Sequence, residues 1–220
     1  QPSRVPVSIN DIGTGMWAVI GILAALTQRL RVPEGRPNVV DVSLFETAMA
    51  WMTVPLTDRN AGGPPPQRNG SGSPNIAPYQ VFRCADGQVM IAAGNDTLFV
   101  KLCAVLGLDH LPNDPRFSSN GARVQNLAAL LELLEPAIAA LSTEQCLGRL
   151  SAASIPCGPM QTVDQVLAHP QFAAIGMMQS TPRGDVATMA LPISFDGQRP
   201  PLAGNGPALG EHNALLDDLT

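Results

Sequence analysis

The sequence predicts an α/β layer followed by a compact α+β domain. Two observations carry the first part. A short apolar alternation over residues 4–9 leads into a long helical period from Thr14 to Leu30, and a second strand-like run, Val39 to Leu44, leads into helical character over Glu46 to Thr53. Strand, helix, strand, helix in that order is the signature of an α/β layer. The second part rests on a hairpin signal at Ala85-Asp86-Gly87, followed by several capped helices.

Taken in order, residues 4–9 read as a short strand, although Pro6 argues against a central position in a sheet. In the helix that follows, Met16, Val19, Ile20, Leu23, Leu26 and Leu30 recur at helical spacing and predict a core-facing stripe. Arg29 and Arg31 stand at its C-terminal end, where the helix dipole favours positive charge. Pro33-Glu34-Gly35-Arg36-Pro37 predicts a turn before the second strand. Residues 57–78 are rich in Gly, Pro and Ser and cannot build a core. They predict a linker, with Asn69-Gly70-Ser71-Gly72-Ser73 either merely flexible or a mobile cover over a ligand.

Tyr79 to Arg83 and Gln88 to Ala93 predict paired strands. Asn95-Asp96 can cap a helix from Thr97 to Leu106, closed by Gly107. A helical stretch from Ala122 should break or kink at Pro136. Ser142-Thr-Glu-Gln145 and Thr162-Val-Asp-Gln165 both fit the capping box, the first opening a helix to about Ala153. Short strands around Ala187–Leu191 and Ile193–Phe195 and a last helix near Glu211 complete the chain.

Composition narrows the function. Apolar residues make up 45% and charged residues only 14% of the 220, with a net charge of −5 and Lys101 as the single lysine. No basic cluster is available for a polyanion, which argues against nucleic acid. The apolar run Met16–Leu26 is too short to span a membrane. Cys84, Cys103, Cys146 and Cys157 are scattered without metal spacing and read as reduced thiols of a cytoplasmic protein. His110, His169 and His212 share no ligand spacing and read as surface or capping residues.

Two patterns could carry chemistry. Gly13-Thr14-Gly15-Met16-Trp17-Ala18 formally fits the dinucleotide fingerprint, but Asp11 beside it would repel a pyrophosphate. Asp11 has two readings. It is either a helix cap or a carboxylate nucleophile, kept ionised by the helix N-terminus and able to attack an activated acyl group.

Several ordered motifs together resemble one family. The segment Asn10 to Leu26, with Asp11 near its start, is similar to the catalytic-aspartate region of the class III CoA-transferases, the formyl-CoA and carnitine CoA-transferase group. Gly35 to Glu46, Pro74-Asn-Ile-Ala-Pro-Tyr79, Ala85-Asp-Gly87, Gly94-Asn-Asp96, Ile155-Pro-Cys-Gly-Pro159 and Leu209-Gly-Glu-His212 resemble later markers of that family in the same order. The resemblance implies part of a Rossmann-like large α/β domain, its N-terminal half missing, with an inserted small α+β domain. Residues 1–56 would belong to the large domain and carry Asp11, 57–78 would be the linker and glycine loop, 79–160 the small domain, and 161–220 a return linker and the end of the large domain. It further implies transfer of CoA from an acyl-CoA to a small carboxylic acid through aspartyl anhydride and aspartyl-CoA intermediates. Asp11 would be the nucleophile, and Gly70 and Gly72 would bind substrate. No cofactor is tightly bound in this reading, coenzyme A being a substrate, and the full-length partner is a second copy in an interlocked homodimer. Two alternatives stay open: the α-methylacyl-CoA racemases of the same family, and a non-catalytic fragment lacking the CoA-binding half.

Overall fold

The computed structural model describes residues 4–32 and 39–217. It divides into two compact units, Gln1–Asn69 and Gly70–Thr220. The chain mixes helices with strands, and every strand pairing among the described residues is antiparallel.

The first unit is helical. Its elements are α1 (Ile9–Arg31), α2 (Leu44–Trp51) and α3 (Thr53–Asn60). Neither expected strand forms. Residues 4–8 are irregular and α1 opens at Ile9, whose N–H bonds to the Val7 carbonyl at 2.8 Å in a tight turn. Residues 39–43 are also irregular, because Ser43 caps α2. The physical reason is the same for both. A strand is stable only when a neighbour completes its ladder, and this unit holds no strand among its described residues. Val40 instead packs on α1, where a Cβ on Gly21 would lie 2.6 Å from Val40 Cγ1. The turn expected at Pro33–Pro37 lies outside the described residues.

The apolar stripe of α1 is present but uncovered: Met16, Val19, Ile20, Leu23, Leu26 and Leu30 are all exposed. By length and composition α1 is also long and apolar enough to cross a membrane, which the run Met16–Leu26 alone is not. A core helix of a soluble protein passes the same test of length and composition.

The second unit matches its sequence closely. β1 (Tyr79–Arg83) and β2 (Gln88–Ala92) form the expected hairpin, with Phe82 opposite Val89, and β3 (Cys157–Pro159) adds to the other edge of β2. α4 (Asp96–Leu106) is capped by the Asn95 side chain and ends at Gly107 in the left-handed conformation, φ 71°. α7 (Thr143–Ala152), like the later α8 (Val163–Leu167), carries a complete capping box. The helical stretch after residue 120 breaks at Asn126, between α5 (Asn120–Gln125) and α6 (Leu127–Ala139), rather than at Pro136. Pro136 sits inside α6 on the exposed side, where water can satisfy the carbonyl that the proline leaves unpaired. Phe82, Val89, Ile91, Phe99, Leu102, Leu130, Leu134, Ile138 and Leu150 form the core between sheet and helices.

Beyond α8 come α9 (Pro170–Ala174), the hairpin of β4 (Met178–Ser180) and β5 (Ala187–Met189), and α10 (Ala214–Asp217). The strand expected over Ile193–Phe195 is reduced to one bridge between Phe195 and Gln198. Asp196 and Gly197 both take positive φ there and turn the chain back at once.

Arg123 is fully buried, and each of its three guanidinium nitrogens has a partner. Its guanidinium donates to the carbonyls of Ala77 (2.7 Å), Phe117 (3.1 Å) and Gly94 (3.0 Å) and pairs with Asp96 at 2.9 Å. It also lies over the Phe99 ring, 4.5 Å from the centroid. Asn120 adds bonds to Asn75 and Ala77, so that α5 fixes the whole approach to β1. The rigid guanidinium fork spans carbonyls that a compact lysine ammonium does not reach together. Arg123→Lys is therefore expected to cost about 3–5 kcal/mol in urea unfolding, the range for breaking a buried charge network. Asp96→Asn is expected to cost less, about 1–3 kcal/mol, because the Asp96 side chain is 62% exposed while the guanidinium it neutralises is buried.

Candidate active site

Asp11 is the third residue of α1, one turn beyond the Ser8 cap, and is exposed. It is not the cap itself. The Ser8 side chain makes no capping bond, and Asp11 forms no ion pair with a described residue. Its charge lies at the positive end of a 23-residue helix, a placement that favours an anion.

The backbone beneath Asp11 is held from one side by α2. Gly13 is buried, and a Cβ there would lie 2.6 Å from Trp51 Cζ2 and 3.0 Å from Thr47 Cγ2. The Thr14 hydroxyl lies 2.7 Å from the Asn10 carbonyl and 2.9 Å from Thr47 Oγ1, and Thr47 Oγ1 lies 3.0 Å from the Ser43 carbonyl. Trp17 and Trp51 approach with ring centroids 6.4 Å apart. Ser43 accepts from the Glu46 N–H at 3.1 Å and donates to the Glu46 carboxylate at 2.7 Å. The glycine of the apparent dinucleotide fingerprint thus serves close helix packing, and it stands inside α1 rather than in a loop ahead of it.

Gly70 and Gly72 belong to the second unit. Gly70 is exposed with φ 58°, a left-handed turn that suits glycine. The neighbouring serines tie this segment to the outer edge of β1. Ser71 Oγ accepts from the Val81 N–H at 3.1 Å, and the Ser73 N–H donates to the Tyr79 carbonyl at 3.0 Å. Of the two readings of this loop, the geometry is that of a segment anchored beside Gly72 and free at Gly70.

Among the described residues no group of His, Cys, Asp and Glu could hold a metal. His169 caps α9, its Nδ1 accepting from the Gln171 N–H at 3.1 Å. Cys103 and Cys146 are pushed up to about 12 by burial, and burial raises Cys84 as well, so these thiols stay protonated. A polar cleft of about 520 Å³ in the second unit is lined by Asp86, Gln88, Thr143, Gln161, Gln165 and His169 among others. Its carboxylate is already engaged. Asp86 accepts from the Thr143 N–H (2.6 Å) and hydroxyl (2.8 Å), which hold it below the usual carboxylate range.

Thr47, Trp51 and Arg123 escape a reading of local sequence. For Thr47 and Trp51 a signal exists in the partner helix. Gly13, Trp17 and Gly21 stand four apart, and a small–large–small stripe on one helix face marks close approach of another element.

The matched family is CoA-transferase family III, whose model aligns with residues 1–213. The chain belongs to this family. An acyl-CoA transferase of Fusarium pseudograminearum is 34% identical over 99% of the chain and 49% of its own length. An acetyl-CoA:oxalate CoA-transferase of Acetobacter aceti is 35% identical over 98% of the chain and 55% of its own length. The crystal structure of a CAIB/BAIF family protein from Brucella suis is 38% identical and superposes with a TM-score of 0.76, covering 100% of this chain and 57% of that one. The chain thus spans about half the length of the relatives it matches.

Two stability tests follow from this geometry. Gly15 has open space at its Cβ position, whereas Gly13 does not. In urea unfolding Gly15→Ala is expected to gain up to about 1 kcal/mol from helix propensity. Gly13→Ala, by overpacking against Trp51, is expected to lose about 1 kcal/mol or more net. For Asp86 the lowered folded value means that its contribution is present above the ordinary carboxylate pKa of about 3.9 and is lost as pH falls through the folded value. The stability gap between wild type and Asp86→Asn should therefore be full near neutral pH and close in acid.

Proposed function

We propose that this chain is the nucleophile-bearing part of an enzyme that moves CoA from an acyl-CoA to a small carboxylic acid, with Asp11 as the attacking group. The observation that carries the reading is an exposed carboxylate without an ion pair at the N-terminal turn of α1, inside a chain that belongs to CoA-transferase family III. The names of the Acetobacter and Fusarium relatives support acyl transfer between CoA and acids.

The Asp11 carboxylate attacks the thioester carbonyl and expels CoA thiolate, leaving an acyl-aspartyl anhydride. The thiolate then attacks the aspartyl carbonyl, which releases the donor acid and leaves an aspartyl-CoA thioester. The acceptor carboxylate displaces the thiolate to form a second anhydride. Attack of the thiolate on the acceptor carbonyl yields the new acyl-CoA and frees Asp11. Each step passes through a tetrahedral oxyanion that backbone N–H donors can stabilise. Gly70 and Gly72 are the proposed substrate-side donors, and exclusion of water protects the anhydrides from hydrolysis.

The relatives carry about as much chain again outside the matched part. We assign most CoA contacts to that part, together with completion of a Rossmann-like large domain around α1. The uncovered apolar positions of α1 support this reading, and equally a homodimer in which they are covered. The same reading makes the protein cytoplasmic, with acyl-CoA and a carboxylic acid as its small-molecule partners and no tightly bound cofactor.

In active enzyme carrying these residues, incubation with acyl-CoA should place a CoA-sized adduct on the peptide that contains Asp11. Asp11→Asn should abolish that adduct and lower transfer by roughly a thousandfold or more, the scale expected for loss of a covalent nucleophile. Undiminished transfer by Asp11→Asn would refute the assignment.

A further inference from the structure

Thr47 is 3% exposed and is, with Arg123, one of two buried polar or charged side chains among the described residues. Its hydroxyl lies between the Ser43 carbonyl and the Thr14 hydroxyl, and Thr14 continues to the Asn10 carbonyl. Three contacts share two hydroxyl protons, so two bonds are made at a time, and the chain can run in either direction. One end of the chain is the N-terminal turn of α2. The other end is the carbonyl of the peptide unit whose N–H belongs to Asp11.

The same stretch is gripped through Gly13, whose missing Cβ admits Trp51 and Thr47. At about 100° per residue Asp11 stands about 200° around α1 from Gly13. Thr14, which bonds to α2, stands only about 60° from Asp11, so the exposed carboxylate lies beside the α1–α2 contact and the backbone beneath it is fixed to α2. Rotation or fraying of the N-terminal turn of α1 would displace the carboxylate, and the hydroxyl chain opposes both movements.

We propose that Thr47 is a positioning residue for the Asp11 carboxylate, acting through the Thr14 hydroxyl on the Asn10–Asp11 peptide. The inference rests on the reading of Asp11 as nucleophile. Thr47 touches no reacting atom in this account, and its effect falls on the geometry of attack rather than on substrate binding.

Thr47→Val keeps the shape and removes the hydroxyl. The Thr14 hydroxyl retains the Asn10 carbonyl, and the Ser43 carbonyl retains the Thr47 N–H at 3.1 Å, so no buried group is orphaned. Thr47→Ser keeps the hydroxyl and removes the methyl. The test measures the single-turnover rate of adduct formation at Asp11 under saturating acyl-CoA, in active enzyme carrying these residues. Thr47→Val is expected to slow it about 10- to 100-fold, the scale of a displacement near 1 Å, with KM for acyl-CoA within about twofold and thermal unfolding unchanged. Thr47→Ser is expected to restore the rate. If Thr47→Val does not fold, Thr14→Ala breaks the same chain from the other helix and should give the same loss.

An unchanged rate in Thr47→Val, or a rate in Thr47→Ser as low as in Thr47→Val, would overturn the inference and leave the Asp11 reading intact. Absence of any adduct at Asp11 in the wild type would sink the Asp11 reading itself, and the inference with it.

Discussion

Close approach of two helices at Gly13 is the constraint on which the candidate site depends. Without a Cβ at that position the Trp51 ring can lie against the backbone of α1, and the Thr14 and Thr47 hydroxyls come within 2.9 Å. One residue type at one position thus permits both the packing and the polar link. Asp11 inherits a fixed backbone from it, although its own side chain forms no ion pair with a described residue. On the proposed reading of Asp11 as nucleophile, the position of its carboxylate is set through the backbone. The α1–α2 contact does this from beside the charge.

The second unit solves a different problem with the same economy. Its approach segment, Asn75 to Pro78, lacks regular structure and brings polar backbone groups into the interior. Arg123 supplies donors to carbonyls from three separate stretches, and its charge meets the Asp96 carboxylate at the surface. Gly94 is required there for a further reason, because Ile76 occupies the space that a Cβ would fill. The hairpin, α4 and α5 are joined through one buried guanidinium, and the apolar core lies behind it.

What the sequence made legible follows the range of the interaction involved. Capping boxes, the Ala85-Asp86-Gly87 hairpin and the Gly107 stop are decided within a few residues, and the structure forms all of them. Residues 4–9 and Val39–Leu44 have strand-like patterns but no described neighbour to pair with, and local turn and capping bonds prevail there. The stripe on α1 was correctly placed, yet its residues are exposed, because periodicity reports which face is apolar and not whether anything covers it. Arg123 and Thr47 could not be read locally, since each depends on a distant partner: Ala77 lies 46 residues from Arg123, and Thr14 lies 33 from Thr47. Asp11 by itself was ambiguous between cap and nucleophile. Its place among several ordered motifs raised the second reading, and the geometry removes the first.

The most direct test of the account follows oxygen atoms. Active enzyme carrying these residues would be given an acyl-CoA and an acceptor acid labelled with heavy oxygen in its carboxylate. If Asp11 forms the second anhydride, thiolate attack on the acceptor carbonyl leaves one labelled oxygen on the Asp11 side chain. Mass spectrometry of the peptide containing Asp11 should then find the label there, and later turnovers should pass it to the released donor acid. Label reaching the donor acid while the Asp11 carboxylate stays unlabelled would mean that the acids exchange oxygen directly, and would contradict the role of Asp11.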